Sequence, residues 1–164
     1  MHRVGIGYDI HPFCKEPGSR KLILGGVEIA HPLALEGHSD ADVLCHAIAD
    51  AILGAIGEAD IGHHFPNTDA TLRGISSLRI LARSAELVRA KGGRILNVDS
   101  TVLAEAPKIA PHLHTMREHL GKALGIPPQR VGIKATTNER LGAIGRQEGI
   151  AAMAVAGVEL PEDV

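Results

Sequence analysis

Residues 39–57, SDADVLCHAIADAILGAIG, decide the fold class. Val43, Ala47, Ile48, Ala51, Ile52 and Ala55 recur three or four apart, which places them on one face of a helix. Ser39 is positioned to N-cap that helix by accepting from the amide of Asp42. Asp40 and Asp42 suit the positive end of the dipole, and Gly57 supplies the stop. Upstream, residues 3–9 alternate, with Val4, Ile6 and Tyr8 on one side, and so predict a strand. Asp9 and His11 follow two apart and point the same way if the chain stays extended.

Outward from this pair the pattern keeps alternating between strand and helix. Leu22–Leu24, Gly25-Gly26 and Val27–Ile29 spell a hairpin, because Gly tolerates positive φ at both turn positions. Residues 77–90 predict a second helix that ends at Gly92-Gly93, and residues 112–124 a third that closes at Gly125. Strands are expected at 95–104, 131–136 and 149–160. The expected architecture is one α/β domain of the α+β type over residues 1–164. It is a two-layer sandwich, with a mixed four-stranded sheet, helices on one face and a small hairpin. One sheet face would stay uncovered, and a strand such as GIAAMAVAGVEL (149–160) does not suit water. Burial against further copies of the chain is the simplest remedy.

Composition narrows the function classes. The chain of 164 residues carries a formal net charge of −2, so it lacks the basic footprint of a nucleic-acid binder. No apolar run reaches the roughly 18–20 residues that span a bilayer, and the start lacks the long apolar region of a signal peptide. Two cysteines are too few for a disulfide framework, so a cytoplasmic, reduced setting is expected. Aromatic residues are only 2% of the chain, which leaves the core to Ala, Ile, Leu and Val. Ten histidines are many for such a chain and hint at metal or proton chemistry, although most are expected on the surface.

Asp9-x-His11 offers a hard oxygen and an imidazole from one extended segment, and His46 adds a second imidazole from the helix. Three such ligands suit Zn²⁺ and leave its fourth tetrahedral position for a substrate oxygen. By spacing alone, a helical His is more often structural. Asp42 and Asp50, four residues either side of His46, could accept from its ring. Cys45 is expected to pack in the core rather than ligate, since helical neighbours point about 100° apart. His38-Ser39 precedes a helix N-terminus, where free amides favour phosphate. Glu139, after Lys134-Ala135-Thr136-Thr137-Asn138, could hold Mg²⁺ against a phosphate, or could simply be a surface carboxylate.

Six segments in order make a pattern: GIGYDIH (5–11), LILGGVEI (22–29), HSDADVLCHAIADAILGAIGEADIGHHFPNTD (38–69), AEAPKIAPH (104–112), KATTNERLG (134–142) and GRQEGIA (145–151). With these the chain resembles, over nearly its whole length, the 2-C-methyl-D-erythritol 2,4-cyclodiphosphate synthases of non-mevalonate isoprenoid biosynthesis. The resemblance implies a zinc site (or another divalent transition metal) on Asp9, His11 and His46, and Mg²⁺ or Mn²⁺ on Glu139. His38 and Thr137 would act as transition-state stabilisers on the phosphate side. Ser39, Asp60, Ile61, Gly62, Phe65, Asn67 and Asp69 would join Asp9, His11 and His38 around the methylerythritol and ribose. Ala104, Ala106, Pro107, Lys108, Ile109 and Ala110, with Thr136, Thr137, Asn138 and Glu139, would hold the cytidine diphosphate. Arg146 would line an axial cavity of a homotrimer whose sites lie between subunits.

The implied reaction is an intramolecular phosphoryl transfer with a cytidine diphosphate substrate. No protein nucleophile is needed, because the substrate supplies its own, and positioning and charge neutralisation remain. Two positions depart from the family pattern: Asn67 stands where Asp is commoner, and Ala143 where an aromatic ring often lines the axial cavity. Two alternatives use the same residues, a zinc-dependent phosphohydrolase and a non-enzymatic trimeric module that binds metal or nucleotide.

Overall fold

The computed structural model describes residues 1–162. Strand β1 (His2–Pro12) leads into the hairpin β2 (Leu22–Leu24) and β3 (Val27–Ile29), followed by helix α1 (Val43–Ala55). A short helix α2 (Ile61–His64) and a 3₁₀ turn (Ala70–Leu72) precede α3 (Ser77–Ala90) and β4 (Arg94–Leu103). Helix α4 (Leu113–Leu124), β5 (Val131–Thr136), α5 (Gly142–Gly145) and β6 (Gly149–Glu159) complete the order. The main sheet runs β1-β6-β4-β5, with β4 and β5 parallel and the other pairs antiparallel. A right-handed crossover is the usual way to join such a parallel pair, and α4 provides the connecting helix.

The helix α1 lies directly on the backbone of β1 and β6. Gly5 and Gly7 make this possible: a Cβ on either would stand 2.0 Å from a carbonyl oxygen of α1, Ala51 or Ala47 respectively. Opposite them on β6 are Ala156 and Ala154, both buried. The alanine face of the helix and the small residues of the two strands are thus one fitted surface. The side chains between them on β1 point away from the helices. Val4, Ile6 and Tyr8 are 73%, 67% and 55% exposed, and Met153 and Val155 beside them on β6 are exposed as well. The expected uncovered apolar face is therefore present.

Two local expectations change. The N-cap of α1 is Asp42, not Ser39, and its fully buried carboxylate accepts from the amide of Cys45 (3.1 Å). It also accepts from the amides of Gly25 (2.9 Å) and Gly26 (2.7 Å), so one side chain caps the helix and clasps the hairpin turn. Ser39 instead accepts from the amide of Ala41, whose φ of 58° turns the chain before the helix starts. The helix N-terminus next to His38 thus carries a carboxylate cap. Helix α4 begins at Leu113, after a 3₁₀ turn over Ala110–His112. Within residues 58–74, Asp60 and Asp69 each cap a short turn.

Candidate metal centre and its surroundings

Asp9 and His11 sit on the helix-facing side of β1, in phase with Gly5 and Gly7, so both reach toward α1. His46, 6% exposed on the second turn of that helix, meets them. Asp9 Oδ2 is 2.9 Å from His11 Nε2 and 2.9 Å from His46 Nδ1, and the two ring nitrogens are 3.2 Å apart. With bonds of about 2.0 Å, a tetrahedral ion needs donors roughly 3.3 Å apart. The chemistry of the set, two imidazole nitrogens and a carboxylate, is that of an open zinc site. Among the described residues this is the one group of such side chains with ligand atoms converging within 4.8 Å. Asp9, His11 and His46 therefore fit a divalent transition ion.

The electrostatics agree with the donor set. Burial works to raise the Asp9 carboxyl, but hydrogen bonds from His11 and His46 hold it well below the usual carboxylate range. Burial acts to lower the His11 imidazole, yet the Asp9 carboxylate raises it on balance.

His46 is not oriented by Asp42 or Asp50, as the sequence suggests. The Asp42 carboxylate is committed to the hairpin and to Cys45, whose thiol donates to it (3.1 Å), and Asp50 accepts from the amide of Ile61 (2.9 Å). The partners of His46 Nε2 are the hydroxyls of Ser39 (3.1 Å) and Ser77 (2.9 Å). Ser77 comes from the first turn of α3, 31 residues away in the chain. A serine inside a helix carries no sequence signal for this role. Cys45 is buried in the core, as expected.

A cleft of about 230 Å³ opens over the three ligands. Of the predicted residues it gathers Asp9, His11, His38, Ser39, His46, Ile61, Gly62, Phe65 and Asn67. Gly37, Leu72, Ile75 and Ile80 also line it; sequence reasoning missed them because nothing local distinguishes an apolar residue that lines a cleft from one that packs in the core. Asp60 and Asp69 face elsewhere, holding the amides of His63 (3.0 Å) and Thr71 (2.9 Å).

The remaining predicted residues form a second cluster at the other edge of the sheet. Register runs from Ile10 to Ala151, Leu103 and Thr136, across all four strands. Three interstrand steps of 4.7–4.9 Å separate Ile10 from Thr136 by about 14 Å. Thr137 and Glu139 lie just beyond, and neither lines the cleft. There the segment 104–110 packs against 136–140. The amide of Ala104 donates to Thr136 O (3.0 Å), and Glu105 Oε1 accepts from the amides of Asn138 (2.9 Å) and Arg140 (3.1 Å). Glu105, also missed, thereby holds a turn in which Glu139 and Arg140 both have positive φ. Ala106 and Pro107 are joined by a cis peptide. Ile109 is buried in the core. Arg146 pairs with Glu148 (2.6 Å) after α5.

The model of the YgbB family matches residues 2–159 of this chain. The chain belongs to the YgbB family. A family member from Akkermansia muciniphila, named 2-C-methyl-D-erythritol 2,4-cyclodiphosphate synthase, is 61% identical over 160 residues, which is 98% of this chain and 94% of that one. The synthase of the same name from Synechocystis sp. is 56% identical over 94% of each chain. The solved structure of Plasmodium falciparum IspF in complex with CDP superposes with a TM-score of 0.84, at 34% identity, over 98% of this chain and 97% of that one. The bifunctional IspDF of Campylobacter jejuni superposes with a TM-score of 0.92 at 37% identity, over 98% of this chain and 43% of the longer one. Its folded unit therefore corresponds to one part of that two-activity protein. Among the described residues of this YgbB-family chain, no helix is long and apolar enough to cross a membrane.

Proposed function

We infer that this YgbB-family chain converts 4-diphosphocytidyl-2-C-methyl-D-erythritol 2-phosphate to 2-C-methyl-D-erythritol 2,4-cyclodiphosphate with release of CMP, as a phosphorus–oxygen lyase of isoprenoid biosynthesis. Belonging with the named synthases across almost the entire chain is the observation that carries it. An oxygen of the 2-phosphate bonds to the diphosphate phosphorus nearer the erythritol. The bond from that phosphorus to the bridging oxygen breaks, and CMP leaves with the electron pair.

Asp9, His11 and His46 would hold Zn²⁺ or another divalent transition ion, and Glu139 would hold Mg²⁺ or Mn²⁺; these ions supply neutralisation of the phosphate charge. His38 and Thr137 donate hydrogen bonds to non-bridging oxygens as charge develops on them. Asn67, Phe65 and the 61–62 backbone line the wall on which the methylerythritol rests. The segment 104–110 with Thr136 and Asn138 holds the cytidine diphosphate. Positioning is the main task, since the nucleophile is already part of the substrate.

The two clusters at opposite edges are halves of one site, completed by a neighbouring copy. A contact between opposite edges is heterologous, and it gives a closed ring only when the rotation closes. A homotrimer in the cytoplasm is that ring here, with Val4, Ile6, Tyr8, Met153 and Val155 facing its axis. This burial accounts for an apolar sheet face that would otherwise meet water.

Labelled water distinguishes this chemistry from hydrolysis, which would also release CMP from the same residues. Cyclisation gives two phosphorus atoms coupled through a shared oxygen in ³¹P spectra, with no ¹⁸O from solvent. Two uncoupled phosphomonoesters carrying solvent ¹⁸O would establish a phosphohydrolase instead.

A further inference from the structure

The metal-site histidine is linked to a half-buried carboxylate, Asp40, through a serine. Ser77, fully buried, places its Oγ 2.9 Å from His46 Nε2 and in hydrogen-bond contact with Asp40 Oδ1. Asp40 Oδ2 accepts from the backbone amide of Ser77 (3.0 Å), so the carboxylate is clamped at both oxygens onto the start of α3. Asp40 thus also does the capping that Ser76, the N-cap residue, does not do with its own side chain. Ser39 Oγ, the second neighbour of Nε2, is already an acceptor from the amide of Ala41 (3.1 Å).

Hydrogen-bond polarity along this line admits one order. A carboxylate only accepts, so the Ser77 proton must point at Asp40. Ser77 Oγ then presents a lone pair to His46, and Nε2 must be the nitrogen that carries hydrogen. Nδ1, 2.9 Å from Asp9 Oδ2 and 3.2 Å from His11 Nε2, is then the nitrogen that an ion would take in place of its hydrogen bond with Asp9.

We propose that Asp40 is a positioning residue that acts through the Ser77 hydroxyl to fix the tautomer of His46 and so to prepare Nδ1 for metal. The proposal rests on the reading of Asp9, His11 and His46 as a metal site. Asp40→Asn tests the polarity at nearly constant volume. If the amide oxygen keeps the Ser77 backbone hydrogen bond, the amide NH₂ faces Ser77 Oγ and donates to it. Ser77 must then donate to Nε2, which places the imidazole proton on Nδ1 and blocks the ligand. Ser77→Ala removes the link but keeps the backbone amide, so the cap on α3 survives.

The test is a cycle of Co²⁺ affinities for the full chain, measured by chelator competition without substrate. Outer-shell partners of metal-bound histidines are typically worth 10–100-fold in affinity. Ser77→Ala and Asp40→Asn should therefore each weaken Co²⁺ binding by at least about tenfold. Added to Ser77→Ala, Asp40→Asn should cost little more, because its lever is gone. In the Zn²⁺ form, the His46 Nε2 proton resonance should move upfield in both single variants. A purely structural Asp40 would leave that resonance in place and cost the same in both backgrounds, and either result overturns the relay. Unchanged Co²⁺ affinity in Ser77→Ala also overturns it, and this arm reads even if Asp40→Asn does not fold. A wild-type chain that binds no Co²⁺, or binds equally well after His46→Ala, overturns the metal reading itself.

Discussion

At the scale of single residues, the site is a competition between protons and a cation. In the metal-free chain the Asp9 carboxylate holds the His11 imidazole above its ordinary value of 6.5, against the effect of burial. An ion must expel that proton, so affinity is lost as pH falls through the raised His11 value and is level above it. Asp9 stays ionised across this window, because its own carboxyl is held low, and adds no further slope. Zn²⁺ affinity followed by chelator competition from pH 9 downward should fall by about tenfold per pH unit once His11 protonates. An affinity independent of pH down to 6 would show that His11 is not a ligand. Asp9-x-His11 was legible because an extended chain repeats every two residues. The role of Ser77 was not, because no local pattern marks it.

At the scale of elements, two small features seat α1. Asp42 holds three backbone amides, those of Gly25, Gly26 and Cys45, so it fixes the hairpin against the helix that carries His46. Asp42→Ala would leave these donors buried without partners, at a cost of about 2–4 kcal/mol in unfolding free energy. Denaturant titration checks this, and a loss below about 0.5 kcal/mol would mean that water replaces the carboxylate. Gly7 lets β1 approach to backbone contact, and a side chain there would meet Ala47 O at 2.0 Å and Ala51 N at 2.8 Å. Both obstacles are main chain, so Gly7→Val must displace the helix, an overpacking worth about 1–3 kcal/mol or more. Since His46 rides on that helix and Asp9 on that strand, metal affinity should fall together with the melting temperature. The helix itself was readable from its stripe, but its cap was not. Ser39 and Asp42 are both good capping residues, and only the position of the hairpin turn decides between them.

At the scale of the whole molecule, the separation of the two clusters makes a prediction about mixtures. Light scattering should report three chains per particle. His11→Ala damages the cleft beside β1, and Thr137→Ala damages the cluster beyond β5, so each variant alone should be nearly inactive. In a mixed trimer, some interfaces pair the intact cleft of one chain with the intact far edge of the next. Subunit exchange between the two variants should therefore restore a measurable fraction of activity. No recovery after exchange proven by mass spectrometry would show that each chain carries a complete site.

Periodicity and turn chemistry in the sequence alone determined the six strands, the three long helices, the hairpin and the direction of the Asp9–His11 pair. Each of these depends on residues within a few positions of one another, where backbone geometry dictates which side chains share a face. Only the tertiary structure decided that Asp42 caps α1, that Asp40 and Ser77 stand behind His46, and that the predicted site residues divide between two sheet edges. These features join residues tens of positions apart. The strand order β1-β6-β4-β5 sets the distance between the edges, and that order follows from how helices and strands pack.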